Sequence, residues 1–162
     1  MAKTDLTRVL EEGGASYDLL PHPHTERAAD EAEALGLSPG DVAKTLVLVV
    51  PEGRVRAVLP ASNRIDLRKV REILGVGKKK VHLASEEDLA RDYPEFDLGA
   101  VPPLGGASRD PVLIDREVAE RDAVVLEAGS HDESIRLKTA DLVRLTEAQV
   151  VDICSEEEVS RR

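Results

Sequence analysis

The stretch VAKTLVLVVPEGRVRAVL, residues 42–59, contains the most apolar predicted strand of this chain. Valine and leucine dominate its first half, and β-branched residues favour extended backbone. Pro51, Glu52 and Gly53 then supply a short turn before the apolar run resumes at Val55. Two apolar runs joined by such a turn predict a β-hairpin, and their nearly continuous apolar character places it in the middle of a sheet.

The sequence on either side of this hairpin predicts further short strands and scattered helices. Apolar residues recur three and four apart where helices are expected, and Gly or Pro often follows their ends. The predicted helices cover residues 4–12, 25–35 with Thr25 as the N-cap, 66–74, a segment beginning after Ser85, and 140–145. The predicted strands cover residues 17–20, 81–84, 112–115, 123–127, 134–137 and 150–153. We therefore expect an α+β fold with a mixed, curled sheet.

The composition indicates one domain with an aliphatic core. The chain has 162 residues, of which 41% are apolar and only 2% aromatic. We expect a single domain over residues 1–162 with a frayed tail at 155–162. The lone Cys154 cannot form an internal disulfide, and no apolar leader or membrane segment is evident in the sequence. These features predict a cytoplasmic protein with no membrane partner.

Charge is unevenly distributed along the chain. The net charge of −10 disfavours nucleic-acid binding, because phosphate contacts require Lys and Arg. Residues 54–82, however, hold nine Lys and Arg against two acids, a local charge of +7. Such a segment can hold a short stretch of RNA, and the alternative is a solvated charged helix and turn. The candidate tRNA-binding residues are Arg64, Arg68, Lys69, Lys78, Lys79 and Lys80.

Lys44 stands at the start of the most apolar predicted strand, on the same face as Leu46 and Leu48. An ammonium group in that position loses hydration unless an anion or a carbonyl approaches it. We therefore interpret Lys44 as a candidate ligand-binding residue. The alternative is a strand-start lysine that reaches water or pairs with Asp41 or Glu52.

Residues 99–106, GAVPPLGG, predict a rigid loop. Its two prolines fix the backbone, while its three glycines permit close approach or positive φ. The remaining amide N–H groups of such a loop can bind a carbonyl oxygen and stabilise the charge that develops during acyl attack. The alternative is an ordinary turn.

The histidines and the cysteine carry weaker signals. His131 follows Gly129-Ser130 between two predicted strands, where it either reaches a pocket rim for proton transfer or stays a solvated turn residue. His22 and His24 lack further ligands with recognisable spacing, and Cys154 on an apolar strand is typical of an inert buried thiol. Motifs of serine hydrolases, P-loop nucleotide hydrolases and zinc enzymes are absent from the sequence. We expect no metal and no cofactor.

Five segments together resemble one known family. They are residues 21–24, AKTLV at 43–47, ASNRIDLRK at 61–69, GAVPPLG at 99–105 and LID at 113–115. They span nearly the whole chain in the order found in the YbaK-type aminoacyl-tRNA deacylases, a family that includes the editing domain inserted in bacterial prolyl-tRNA synthetases. The combination of a lysine, a G-x-x-x-P loop and a downstream Gly-Ser turn is more specific than any one motif. The resemblance implies a free-standing relative with the fold of that editing domain.

The resemblance also implies a site and a reaction. Lys44 matches the family's active-site lysine and Gly99 opens its G-x-x-x-P loop, so these are the two implied catalytic residues. The implied substrate-binding residues are Ala100, Val101, Pro102, Pro103, Gly105, Gly129, Ser130 and His131. Water would attack the ester carbonyl while main-chain amides stabilise the oxyanion, so the reaction needs no nucleophilic side chain.

The implied reaction is hydrolysis of mischarged aminoacyl-tRNA in trans, releasing a small amino acid such as cysteine or alanine from proline tRNA. The implied partners are the 3′ end of mischarged tRNA and an aminoacyl-tRNA synthetase as a docking partner, with no DNA. One alternative is a non-catalytic module that holds an aminoacyl-tRNA or a small ligand within a synthetase complex. Another is a metal-dependent hydrolase that uses His22 and His24, although further ligands are missing.

Overall fold

A computed structural model describes residues 5–25, 27–77, 79–106 and 109–156. Strands and helices alternate irregularly along it, which confirms the predicted α+β class. The strands are β1 (Tyr17–Pro21), β2 (Ala43–Val50), β3 (Gly53–Pro60), β4 (His82–Leu83), β5 (Val112–Asp115), β6 (Ala123–Ser130), β7 (Glu133–Lys138) and β8 (Gln149–Val151). The helices are α1 (Asp5–Glu12), α2 (Ala28–Ala34), α3 (Leu67–Leu74), α4 (Glu86–Asp92), α5 (Arg116–Ala119) and α6 (Thr139–Thr146), with a 3₁₀ turn at Pro39–Asp41.

The predicted hairpin is confirmed and lies inside the larger sheet, whose strand order is β4-β2-β3-β5-β8. β2 and β3 pair antiparallel, from Ala43 opposite Pro60 to Val50 opposite Gly53. β5 and β8 extend the sheet in parallel, and β4 pairs with the other edge of β2. The residues of β3 from Val55 to Pro60 are all buried, as expected for a central strand.

The remaining strands form a separate antiparallel sheet in the order β1-β7-β6. The pairing of β6 with β7 shifts register between Glu127 and Ser130, where Gly129 has a φ of 100°. The two sheets meet where Val42, just before β2, forms a parallel bridge with Val125 of β6. The curled sheet expected from the sequence is thus divided in two, and this bridge sets the start of β2 beside β6.

Side chains cap several helices where the sequence predicts a helix start. Asp66 accepts hydrogen bonds from two backbone N–H groups in the first turn of α3, which Gly75 ends in the left-handed conformation. Ser85 and Asp88 form a capping box at α4.

Two features of the helices differ from the prediction. Thr25 is not the N-cap of α2, because the helix begins later, after Arg27, which makes no side-chain cap hydrogen bond. The four-residue helix α5 has no counterpart among the predicted helices; Asp115, the last residue of β5, caps it directly. A strand end that doubles as a helix cap leaves no turn residues to mark the boundary.

The core is aliphatic and lies mainly between the two sheets. Its largest cluster joins helices α1 and α6 to strands of both sheets through residues such as Leu6, Leu142, Val58, Leu126 and Ile135. A second cluster packs α3 against the larger sheet. Among the described helices, none has the length and apolar character needed to cross a bilayer. Most of the predicted frayed tail, residues 157–162, lies outside the described residues.

Candidate active site

Lys44 is the second residue of β2, where it pairs with Leu59 of β3. Its side chain is half-buried, and burial lowers the pKa of its ammonium group below the usual value. Within the described part of the chain Lys44 takes part in no salt bridge. Asp41, the pairing partner considered from the sequence, instead binds Arg121 and accepts from Ser38. The groups whose charges act on its pKa are Cys154 and Arg64, and no described carboxylate is among them.

The Gly99–Gly106 loop is anchored from beneath by Arg56 of β3. Arg56 donates to the carbonyl oxygens of Pro102 at 2.8 Å and Gly105 at 3.1 Å, and its side chain is 1% exposed. Its Nε also donates to Asp110 at 3.0 Å, and its guanidinium lies 5.1 Å from the centre of the Tyr93 ring. A planar guanidinium suits this role because its donors are fixed in one plane.

His131 holds the start of the same loop from the other side. Its backbone N–H donates to the Asp97 carboxylate at 3.2 Å, and its Nε2 contacts the carbonyl oxygen of Leu98. The Asp97 backbone N–H in turn donates to the carbonyl of Gly129 at 2.9 Å. Gly99 follows Leu98 with a φ of 82° and an exposed backbone. The loop that begins at Gly99 is therefore held by His131 at its start and by Arg56 further along.

Lys44 and Gly99 line one pocket of about 370 Å³. β2 supplies one wall with Lys44 and its two following residues, and β6 supplies Glu127 from the other sheet. The described residues that line the pocket are Arg27, Ala28, Lys44, Thr45, Leu46, Ala61, Gly99 and Glu127. The two residues predicted to be catalytic are thus adjacent to the same space, although their roles stay a prediction.

The other predicted substrate-binding residues are absent from the described walls of this pocket. Ala100, Val101, Pro102 and Pro103 are buried, and the Ala100 N–H already donates to the carbonyl of Asp97 at 3.0 Å. Val101 lines a neighbouring, mainly apolar pocket of about 150 Å³ that shares Gly99. Pro103 and Gly105 face a different cavity, of about 410 Å³, that Arg8 and Leu145 help to line.

The Gly129–His131 segment supports the site from behind. A Cβ at position 129 would lie 2.8 Å from Cδ1 of Phe96, so the Phe96 ring leaves no room for a side chain in place of Gly129. The hydroxyl of Ser130 donates to Asp132 at 2.8 Å, and the His131 side chain is buried against the loop. The Gly129–His131 segment therefore packs behind the Gly99 loop. Its contact with substrate stays a prediction.

The predicted tRNA-binding residues differ in their surroundings. Arg64, Arg68, Lys79 and Lys80 are exposed. Lys69 is engaged within the protein, since its Nζ donates to Asp152 at 3.1 Å and to the carbonyl of Cys154 at 2.8 Å. Lys78 lies outside the described residues.

Sequence reasoning missed Glu127, Glu31 and the role of Arg56. Glu127 occurs in the apolar run of β6, and its Oε2 lies 3.0 Å from Nδ1 of His131. Glu31 is fully buried in α2 and accepts a hydrogen bond from Ser134. A charged residue within an apolar run is the signal that singled out Lys44, and it applies equally to Arg56 and Glu127. Glu31 carried a different signal: it lies three residues after Ala28 and four before Leu35, on the apolar face of the predicted amphipathic helix.

Asp115, Glu117 and Cys154 bring potential ligand atoms within 4.8 Å of one another. The two oxygens of Asp115 accept the backbone N–H groups of Ile153 and Glu117. Burial raises the pKa of the Cys154 thiol to about 12, so it stays protonated at neutral pH. These contacts give the group a structural role in joining β5 to the C-terminal segment.

Comparison with known proteins identifies the family. The model of the aminoacyl-tRNA editing domain matches residues 22–145. A relative from Enterococcus faecalis named "Putative Cys-tRNA(Pro)/Cys-tRNA(Cys) deacylase EbsC" is 29% identical over 159 residues, covering 96% of this chain and 95% of the relative. The Escherichia coli protein named multifunctional Ser/Thr-tRNA deacylase ProXp-y is 27% identical over 162 residues, covering 94% of this chain and 95% of that protein.

A solved structure agrees with these relatives. The crystal structure of "a putative trans-editing enzyme for prolyl tRNA synthetase" superposes with a TM-score of 0.82 at 27% identity, covering 96% of this chain and 99% of that one. The family expected from the sequence motifs is therefore confirmed, since its model matches well over half of the chain. This protein belongs to the aminoacyl-tRNA editing domain family.

Proposed function

We propose that this protein hydrolyses the ester bond of mischarged aminoacyl-tRNA in trans, releasing the free amino acid and the tRNA. The observation that carries this proposal is the position of Lys44 and Gly99 on one pocket of about 370 Å³ in a chain of the editing family. The names of the relatives, a Ser/Thr-tRNA deacylase among them, support the same reaction.

Lys44 and Gly99 divide the chemistry between them. The half-buried amine of Lys44 binds the 3′-terminal phosphate or the ester carbonyl, because a partly desolvated cation gains most from an oxygen ligand. Gly99 has no side chain and a positive φ, so the backbone can approach the aminoacyl group closely. Water then attacks a carbonyl held between them, and this orientation supplies much of the rate enhancement.

The amino acid removed is a small one. The pocket walls include Ala28, Ala61 and Gly99, and its volume of about 370 Å³ must also admit the terminal ribose. Cysteine or alanine on proline tRNA fits this space, and the relatives named for cysteine and for serine or threonine are consistent with it. A single methylene alters such discrimination by only about 1–3 kcal/mol, so several small residues will compete.

The proposed RNA-binding residues are Arg64, Arg68, Lys79 and Lys80, which are exposed, and Lys78, which lies outside the described residues. These residues bind tRNA phosphates near the 3′ end, while the acidic remainder of the protein repels longer RNA and DNA. Lys69 contributes less, because its ammonium is engaged with Asp152. Reaction on charged tRNA places the protein in the cytoplasm, and an aminoacyl-tRNA synthetase is its proposed docking partner.

The proposal is tested with a panel of mischarged tRNAs carrying serine, threonine, alanine or cysteine. The protein is supplied at about one hundredth of the substrate concentration, and released amino acid is measured over time. We expect many turnovers on at least one of these esters. Release of one amino acid per protein molecule would favour the non-catalytic binding module, and no release above spontaneous hydrolysis would contradict the proposal.

A further inference from the structure

Glu127 lies in the wall of the pocket that contains Lys44, but it comes from the other sheet. The bridge between Val42 and Val125 sets β6 beside the start of β2, and Glu127 follows two residues later. Its side chain is 13% exposed, at the pocket that it lines. Among the described residues Glu127 pairs with His131 and not with Lys44, so the acid and the amine are separate groups of one pocket.

The contact with His131 limits Glu127 to two protonation arrangements. Nε2 of His131 contacts the carbonyl oxygen of Leu98, which can only accept, so Nε2 carries a hydrogen and donates it. Nδ1 then shares one proton with Oε2 of Glu127 across 3.0 Å. Glu127 is either a carboxylate beside an imidazolium or a carboxylic acid beside a neutral imidazole. In both cases the contact with His131 holds the Glu127 carboxyl group in one orientation beside the pocket.

A second buried acid, Glu31, adds to the acidic character of the region around Glu127. Glu31 is fully buried, and its Oε1 has no hydrogen-bond partner in the described part of the chain. Burial first, and then repulsion by Glu31, raise the pKa of Glu127, and an ammonium group bound beside it would favour the carboxylate form. Three described titratable groups act on Glu127 directly: Glu31 on α2, and His131 and Asp97 at the loop. His22 acts on Glu31 and contacts Ser134, and the ring of His24 lies against that of His131. Lys44 and Arg27 line the same pocket as Glu127.

The substrate offers one cation to such a site. An aminoacyl ester carries an α-ammonium group one carbon away from the carbonyl that water attacks, and its other charged groups are phosphates. We propose that the Glu127 carboxylate binds the α-ammonium group of the aminoacyl ester, opposite Lys44. This inference rests on the proposed function and adds a recognition element to it: the acid selects an acyl group with a free amine and sets the carbonyl between Lys44 and Gly99.

A purely structural role for Glu127 makes a different prediction. If the acid serves only to hold His131 against Leu98, its loss displaces the Gly99 loop and slows hydrolysis of every ester equally. Recognition of the ammonium group instead makes the loss depend on the substrate. The two roles are therefore separated by changing the substrate at the amine alone.

The experiment compares each hydrolysed aminoacyl-tRNA with its α-hydroxyacyl counterpart, prepared by nitrous acid deamination, with both rates divided by spontaneous hydrolysis. Glu127→Gln keeps a donor for Nδ1 of His131 while removing the negative charge. We expect it to lower kcat/KM for the amino ester about 10–100-fold, as for loss of a charge-assisted hydrogen bond, and to change the hydroxy ester less than about threefold. Asp97→Asn is the matched control, because Asp97 supports His131 but is absent from the described pocket wall, and it should affect both esters alike.

Three results would overturn the inference in distinguishable ways. An equal loss on both esters assigns Glu127 a structural role, and no loss on either removes it from the site, while the proposed function stands in both cases. Failure of the wild-type protein to hydrolyse any ester overturns the proposed function and this inference with it.

Discussion

Arg56 of β3 contacts the loop that carries Gly99 through the carbonyl oxygens of Pro102 and Gly105, while its Nε contacts Asp110. The sequence assigns this residue to a basic segment, and that segment suggests RNA. In the fold Arg56 is buried and serves the protein itself. The difference arises because its partners are about 50 positions away, and no local pattern indicates them.

Replacing Arg56 by Met should destabilise the protein by about 3–5 kcal/mol, because it removes the ion-pair partner of Asp110, whose side chain is only 12% exposed. Urea unfolding measures this destabilisation, and deacylation should fall as the loop becomes free. Arg54→Met is the matched control: its pair with Asp92 is more exposed, at 23% and 24%, so we expect a cost of about 0–1 kcal/mol. A cost below about 1 kcal/mol for Arg56→Met would show that the anchor is unimportant.

Lys44 could be predicted from its own neighbours, whereas Glu127 could be interpreted only in the fold. An ammonium in an apolar strand requires a ligand, and the lysine is in fact half-buried on a pocket. Glu127 stands in an equally apolar strand, but its meaning depends on His131, Glu31 and the bridge between the sheets. Residues defined by contacts across the fold are the part of a site that sequence patterns leave out.

At the level of the elements, the hairpin of β2 and β3 and the caps of α3 and α4 follow from local signals. Apolar runs, the turn at Pro51-Glu52-Gly53 and side-chain caps act within a few residues, so the sequence contains what is needed to predict them. The division into two sheets does not follow from such signals. It depends on which strand edges pair: β6 pairs with β7, and among the described residues its backbone bridge beside the larger sheet joins Val125 to Val42.

The loop of residues 99–106 shows the same limit. Its rigidity could be predicted from Pro102 and Pro103, but its main support is Arg56 below and His131 behind. The predicted array of amides is also reduced, since Ala100 uses its N–H to hold the turn at Asp97. Gly99 is therefore the member of this loop that lies on the pocket shared with Lys44.

For the whole molecule, the contrast between a net charge of −10 and a basic segment is the main electrostatic feature.

Replacing Lys78, Lys79 and Lys80 by Gln should weaken tRNA binding and make log Kd less dependent on log salt concentration. The slope should fall by about 0.7–0.9 for each tRNA phosphate that the variant no longer neutralises. Binding measured at salt concentrations from about 50 to 200 mM tests this, with Arg144→Gln on α6 as a control outside the segment. Identical slopes would leave the segment a solvated surface.

The role of Lys44 is tested by the single-turnover rate of Lys44→Ala on the mischarged tRNA that the wild-type protein hydrolyses fastest. Removing this half-buried amine takes away the group that binds substrate oxygen, yet leaves the core intact. We expect a rate at least about 100-fold lower with an unchanged urea midpoint, while Lys138→Ala, at an exposed lysine, should behave as wild type. A Lys44→Ala rate within about twofold of the wild-type rate would contradict the proposed role of Lys44.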